Sequence, residues 1–94
     1  MKFYIVDDEQ SILYVLQNII EQNFDDEVVG MSSDPKQAVN EIQLRDVDIV
    51  LVDLLMPGID LIHTIKANKP AIRFIMISKV QDSDMRAKAY QAGI

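Results

Sequence analysis

Apolar residues follow two spacings along this chain, and each change of spacing marks a new element. Phe3 to Val6 form a short continuous apolar run, the pattern of a strand covered on both faces of a parallel sheet. Ile12, Leu13, Leu16, Ile19 and Ile20 then recur at helical spacing and predict one buried stripe, with Asp8 placed to cap that helix. Val28 and Val29 begin a second strand that runs out near Met31 into Ser32 and Ser33. Asp34-Pro35 is a helix start, an acid at the N-cap and proline at the first helical position. Ala38, Val39, Ile42 and Leu44 are the expected buried side of that second helix. Ile49, Val50, Leu51 and Val52 form the third strand, which stops at Asp53. Met56-Pro57-Gly58 turns the chain, since proline fixes φ and glycine accepts φ values that other residues avoid. A helix from about residue 60 to 67 should bury Ile62 and Ile65, and Lys69-Pro70 leads into a fourth strand, Ile72 to Ile77, ending at Ser78. A last helix, from Asp82 or Ser83 to Ala92, is stopped by Gly93.

Strand alternating with helix means an α/β fold with a parallel sheet and right-handed crossovers. Asp7, Asp8, Asp53 and Ser78 each fall just past the C-terminal end of a strand. In the order 2-1-3-4, strands one, three and four are neighbours, so these side chains converge on the edge where open α/β sheets bind ligands. Clustered carboxylates either raise some of their pKa values or recruit a cation. Mg²⁺ suits them, being hard and satisfied by one or two carboxylates with waters and phosphate oxygens. A carboxylate can also be a nucleophile toward phosphoryl groups, and Asp53 is the best placed.

Composition narrows the classes. With 94 residues the chain is one domain, residues 1–94, and no apolar run is long enough to cross a bilayer. No secretory signal is visible, since Met1-Lys2 leads straight into a strand, and the absence of cysteine excludes disulfide and thiolate chemistry. A cytoplasmic protein is expected. The formal net charge of −6 argues against direct contact of this segment with nucleic acid. Gly30, Gly58 and Gly93 are isolated, so no glycine-rich phosphate loop is present. His63, with no second histidine and no cysteine in the chain, reads as a helix-surface residue.

Taken together, these motifs resemble the receiver domain of two-component response regulators over nearly the whole chain. The acidic pair Asp7-Asp8, the strand ending at Asp53 before Met56-Pro57, and the strand ending at Ser78 match that family's acidic pair, phosphoacceptor aspartate, loop and hydroxyl in order and spacing. The resemblance implies a flavodoxin-like doubly wound sheet, here without its fifth βα unit. It implies that a partner histidine kinase phosphorylates Asp53, that Asp7, Asp8, Asp53 and the Leu55 carbonyl hold Mg²⁺, and that Ser78 hydrogen-bonds the phosphoryl group. It further implies a switch governing an attached output domain, most often a DNA-binding transcriptional regulator, rather than a turnover enzyme.

The sequence also departs from the family pattern. The lysine and the aromatic residue of the fifth strand have no counterpart before Ile94, and Lys69-Pro70 precedes strand four, at the wrong edge to replace that lysine. Lys79 stands beside the hydroxyl where a small residue is usual, and Asp60 is followed by Leu61 where the family tends to have glycine. These departures leave two alternatives. One is a degenerate receiver that serves as a phosphorylation-independent interaction module. The other is an aspartate-nucleophile hydrolase, although those typically place nucleophile and acid two positions apart, and Asp7 and Asp8 are adjacent. Without a fifth unit, strand four and the helix-one face beside Ile12, Leu16 and Ile19 are expected to be open, inviting a homo-oligomer.

Overall fold

The structure, a computed structural model, describes residues 1–53 and 58–77. Among the described residues four strands and three helices alternate: β1 (Lys2–Val6), α1 (Gln10–Glu21), β2 (Glu27–Ser32), α2 (Pro35–Leu44), β3 (Ile49–Asp53), α3 (Gly58–Asn68) and β4 (Arg73–Ile77). All pairings are parallel and the sheet order is β2-β1-β3-β4, the order expected from the convergence of the strand-end acids. The expected Met56-Pro57 turn, the Leu55 carbonyl, Ser78, Lys79 and the final helix lie outside the described residues.

Alternation along the strands divides the core into two layers. Tyr4, Val6, Val50, Val52 and Phe74 face α2 and α3, where Ala38, Ile42, Leu61, Ile62 and Ile65 complete one cluster. Ile5 and Leu51 face the other side, where Leu13 of α1 meets them and Phe3, Leu16, Ile20, Val28, Met31 and Ile77 pack around. Every residue of β3 is buried, because it is an interior strand with apolar layers on both faces.

Several boundaries move for identifiable reasons. Asp8 does not cap α1: the N-cap is Glu9, with no side-chain cap bond, and the Asp7 carboxylate takes the Glu9 amide at 2.9 Å instead. Ile19, placed by its spacing in the buried stripe but also on the helix face expected to be open, is 58% exposed, while α1 packs on β1 and β2. Leu44 is 87% exposed because α2 ends there, beyond the sheet-facing stripe of Ala38 and Ile42. α3 begins at Gly58, two residues before Asp60, and β4 at Arg73, with Ile72 still buried beside it. The second helix starts as expected: Asp34 is the N-cap and its side chain accepts the Lys36 amide at 3.0 Å, with Pro35 following.

The turn before β4 gives Lys69 a structural task. Its Nζ donates to the carbonyls of Ile42 at 3.0 Å and Arg45 at 2.7 Å. A cation thereby satisfies the carbonyl end of α2, where the helix dipole is negative. This lies at the N-terminal edge of the sheet, where Asp48 also ties the first residues of β1 and β4 to the start of β3. Lys69 is therefore remote from the strand tips that carry the acids.

Candidate functional site

Strand register brings the acids together. Val6 pairs with Val52 across β1 and β3, so Asp7 and Asp53, each one residue further on, come level at the C-terminal edge. By alternation both fall on the side of Ile5 and Leu51, and both are buried, Asp7 at 0% and Asp53 at 1% exposure. Asp8 comes next in the chain and is exposed. One oxygen from each of the three carboxylates lies within 4.8 Å of the others.

Asp7 is fixed from two sides. Its backbone N–H donates to the Ser32 carbonyl at 3.2 Å, which extends the β1–β2 ladder one step past the strand. Its Oδ1 accepts the Glu9 N–H at 2.9 Å, and its Oδ2 is buried and accepts no hydrogen bond among the described residues. Burial pushes the Asp7 carboxyl above its ordinary 3.8; the Glu9 N–H opposes the shift, and the charges of Asp53 and Asp8 add to it. A buried carboxylate oxygen without a donor, set among other carboxylates, is costly unless a proton or a cation meets it. The donors are all hard oxygens, which fits a Mg²⁺-type ion rather than a soft metal.

Of the residues singled out by sequence, the structure therefore joins Asp7, Asp8 and Asp53. Leu55 and Ser78 lie outside the described residues, Ser78 directly after the last residue of β4 and Leu55 two residues after Asp53. His63 is exposed on α3. Leu61 faces the core at 4% exposure, so its departure from glycine is absorbed by packing. Sequence reasoning missed the two backbone partners of Asp7, the Glu9 amide and the Ser32 carbonyl. The Ser32 contact depends on strand register, and no residue type signals that.

A family model described as "Response regulator receiver domain" matches residues 3–94. The chain is 38% identical over 97 aligned positions to a transcriptional regulatory protein, GlnL, of Bacillus subtilis, covering all of this chain and 31% of that protein. It is 32% identical to a protein-glutamate methylesterase/protein-glutamine glutaminase of Bradyrhizobium diazoefficiens, covering 99% of this chain and 27% of that one. Among solved structures it resembles RcsB of Salmonella enterica serovar Typhimurium bound to a promoter in the presence of a phosphomimetic. That match has a TM-score of 0.90 and 26% identity, and covers all of this chain and 56% of that one. The chain thus spans about a third or less of the curated relatives it matches.

Proposed function

The chain belongs to the response regulator receiver domain family, and on that premise we propose that it is a phosphorylation-dependent switch whose Asp53 accepts a phosphoryl group from a partner histidine kinase. One observation carries the reading: three carboxylates converge at the C-terminal sheet edge, with a buried Asp7 oxygen that accepts no hydrogen bond among the described residues. The Asp53 carboxylate would attack the phosphorus of a phosphohistidine, its new O–P bond forming as the P–N bond breaks and the electron pair returns to the imidazole. Asp7, Asp8 and Asp53 would hold Mg²⁺, with the Leu55 carbonyl as a further ligand. The ion, when bound, supplies positive charge against the acids and the phosphoryl oxygens. Asp7 would offer Oδ2 from a position fixed by Glu9 and Ser32, Asp8 would close the site from solvent, and Ser78 would hydrogen-bond the phosphoryl group.

A transcriptional relative and a promoter-bound structural neighbour favour a DNA-binding output domain in the same protein, which on the receiver reading acts in the cytoplasm. The methylesterase relative indicates that an enzymatic output is compatible with the same receiver. With a net charge of −6, this segment itself would leave DNA contact to that output. The test is incubation of the full-length protein with acetyl phosphate and Mg²⁺, and then intact-mass spectrometry. One phosphoryl adduct in the wild type and none in Asp53→Asn supports the switch. Steady phosphodonor turnover without an adduct indicates a hydrolase, and no reaction indicates an interaction module. An adduct that persists in Asp53→Asn moves the nucleophile elsewhere.

A further inference from the structure

A polar clasp lies on the α2 face of the sheet, opposite the face that carries Asp7 and Asp53, and outside their chemistry. Along β1 and β2 the register runs Phe3 to Val28 and then Tyr4 to Gly30, so Val29 is an extra residue, a bulge in the edge strand. The Val29 carbonyl accepts from Arg45 Nη1, and Arg45 Nη2 donates to Glu41 Oε1 at 3.0 Å. Glu41 Oε2 in turn accepts from the hydroxyl of the fully buried Tyr4. Gly30 makes room at the crossing: a Cβ there would lie 2.5 Å from the Tyr4 ring and 2.6 Å from Arg45 Nη1. Three elements, β1, β2 and α2, are thereby joined at the bulge.

The bulge sets the facing of the last residues of β2. A one-residue slip in a strand turns every later side chain to the opposite face, and bulges near functional sites serve to re-aim particular groups. Here the shifted register sends Met31 to the α1 layer beside Ile5 and brings Ser32 opposite Val6. The Ser32 carbonyl then meets the Asp7 N–H. The Ser32 hydroxyl also donates to the Asp34 carbonyl at 3.0 Å, holding the turn into α2.

We propose that Tyr4, Gly30, Glu41 and Arg45 are positioning residues: they lock the bulge at Val29, and the locked register aims Asp7 at the cation. The proposal rests on the receiver reading for its cation, while its geometric part stands on the Asp7 to Ser32 bond alone. A merely structural role would raise exchange of all core amides together and leave ion affinity unchanged in the folded protein.

The test uses Arg45→Met, which keeps the aliphatic stem, and Tyr4→Phe, which removes one oxygen and serves if the first variant fails to fold. Lys69→Met is the control, because it frees the Ile42 and Arg45 carbonyls at the same C-terminal end of α2 while leaving every side-chain bond of the clasp in place. Amide hydrogen exchange of the full-length protein is read by NMR, and Mg²⁺ is titrated without phosphodonor. The clasp variants should show Asp7 exchange accelerated about tenfold beyond the β3 amides and a Mg²⁺ Kd weakened severalfold, with neither effect in Lys69→Met. Asp7 exchange that rises only in step with β3, or a Kd that moves no more than in Lys69→Met, overturns the proposal. If the wild type binds no Mg²⁺, the functional reading falls, and Asp7 exchange alone decides the clasp.

Discussion

Replacing Asp7 by Asn probes the repulsion held in the acidic cluster. Asp7 is fully buried, one of its oxygens holds the Glu9 amide, and oxygens of the three acids lie within 4.8 Å of one another. Two like unit charges at such a separation repel by about 3.5 kcal/mol at an effective dielectric constant of ~20. Solvent around the exposed Asp8 screens part of this, leaving about 1 to 3 kcal/mol for the substitution to recover. Asparagine keeps the shape, its Oδ1 can still accept from Glu9, and its Nδ2 can donate toward the neighbouring carboxylates. In a chelator at neutral pH, Asp7→Asn should therefore be the more stable protein.

Mg²⁺ and acid should each remove that advantage. At ~100 times its Kd the ion adds about 2.7 kcal/mol to a protein that binds it only when folded, so the wild type should close the gap while the variant gains little. The Asp7 carboxyl titrates above 3.8, from burial first and from Asp53 and Asp8 after. A raised carboxyl pKa means that the native state holds the proton more tightly than the unfolded chain. The penalty is then absent below 3.8, grows as pH rises through the raised pKa, and is complete above it. Urea unfolding monitored by circular dichroism, from neutral pH downward with chelator or Mg²⁺, reads both effects. A variant less stable than the wild type in chelator, or an advantage independent of pH, would refute the reasoning.

Lys69→Met removes two hydrogen bonds from the carbonyl end of α2, and should cost about 1 to 3 kcal/mol in urea unfolding without changing phosphoryl acceptance. Asp34→Ala deletes the cap over the Lys36 amide and should cost roughly 1 kcal/mol. Phe24→Ser, at a fully exposed position, should shift stability by less than about 0.5 kcal/mol in the same assay. A large loss there would mean that Phe24 packs against something.

The succession of strands and helices was legible because unbroken apolar runs and helical spacing alternate without ambiguity, and the sheet order followed from asking that the strand-end acids and Ser78 share one edge. The meeting of Asp7 and Asp53 came from strand ends plus order. What escaped the sequence depends on contacts between distant segments. Periodicity gave α1 its stripe but not how the stripe is centred on the sheet, which leaves Ile19 outward at 58% exposure while Leu13 is buried. The bulge at Val29 is written in Tyr4, Gly30 and Arg45, and no local pattern links these three positions. The turn at Asp7 looked like a cap by Asp8, since an acid in either position fits the same motif.

Leu61 is the most instructive case, because the family pattern and the packing point in opposite directions. Judged by motif, a leucine after Asp60 counts against an intact site. In the structure it is helical, 4% exposed, and part of the cluster with Ile62 and Ile65. Leu61→Gly would restore the family residue yet remove a buried side chain and put glycine inside α3. Core truncation of this kind costs about 2 to 5 kcal/mol, and glycine in a helix interior about 1 more. The variant should lose at least about 3 kcal/mol in urea unfolding and gain nothing in the initial rate of phosphoryl acceptance from acetyl phosphate. If it instead accepts phosphoryl groups faster while keeping its stability, then the leucine does obstruct the site, and its burial in α3 is not what selects it.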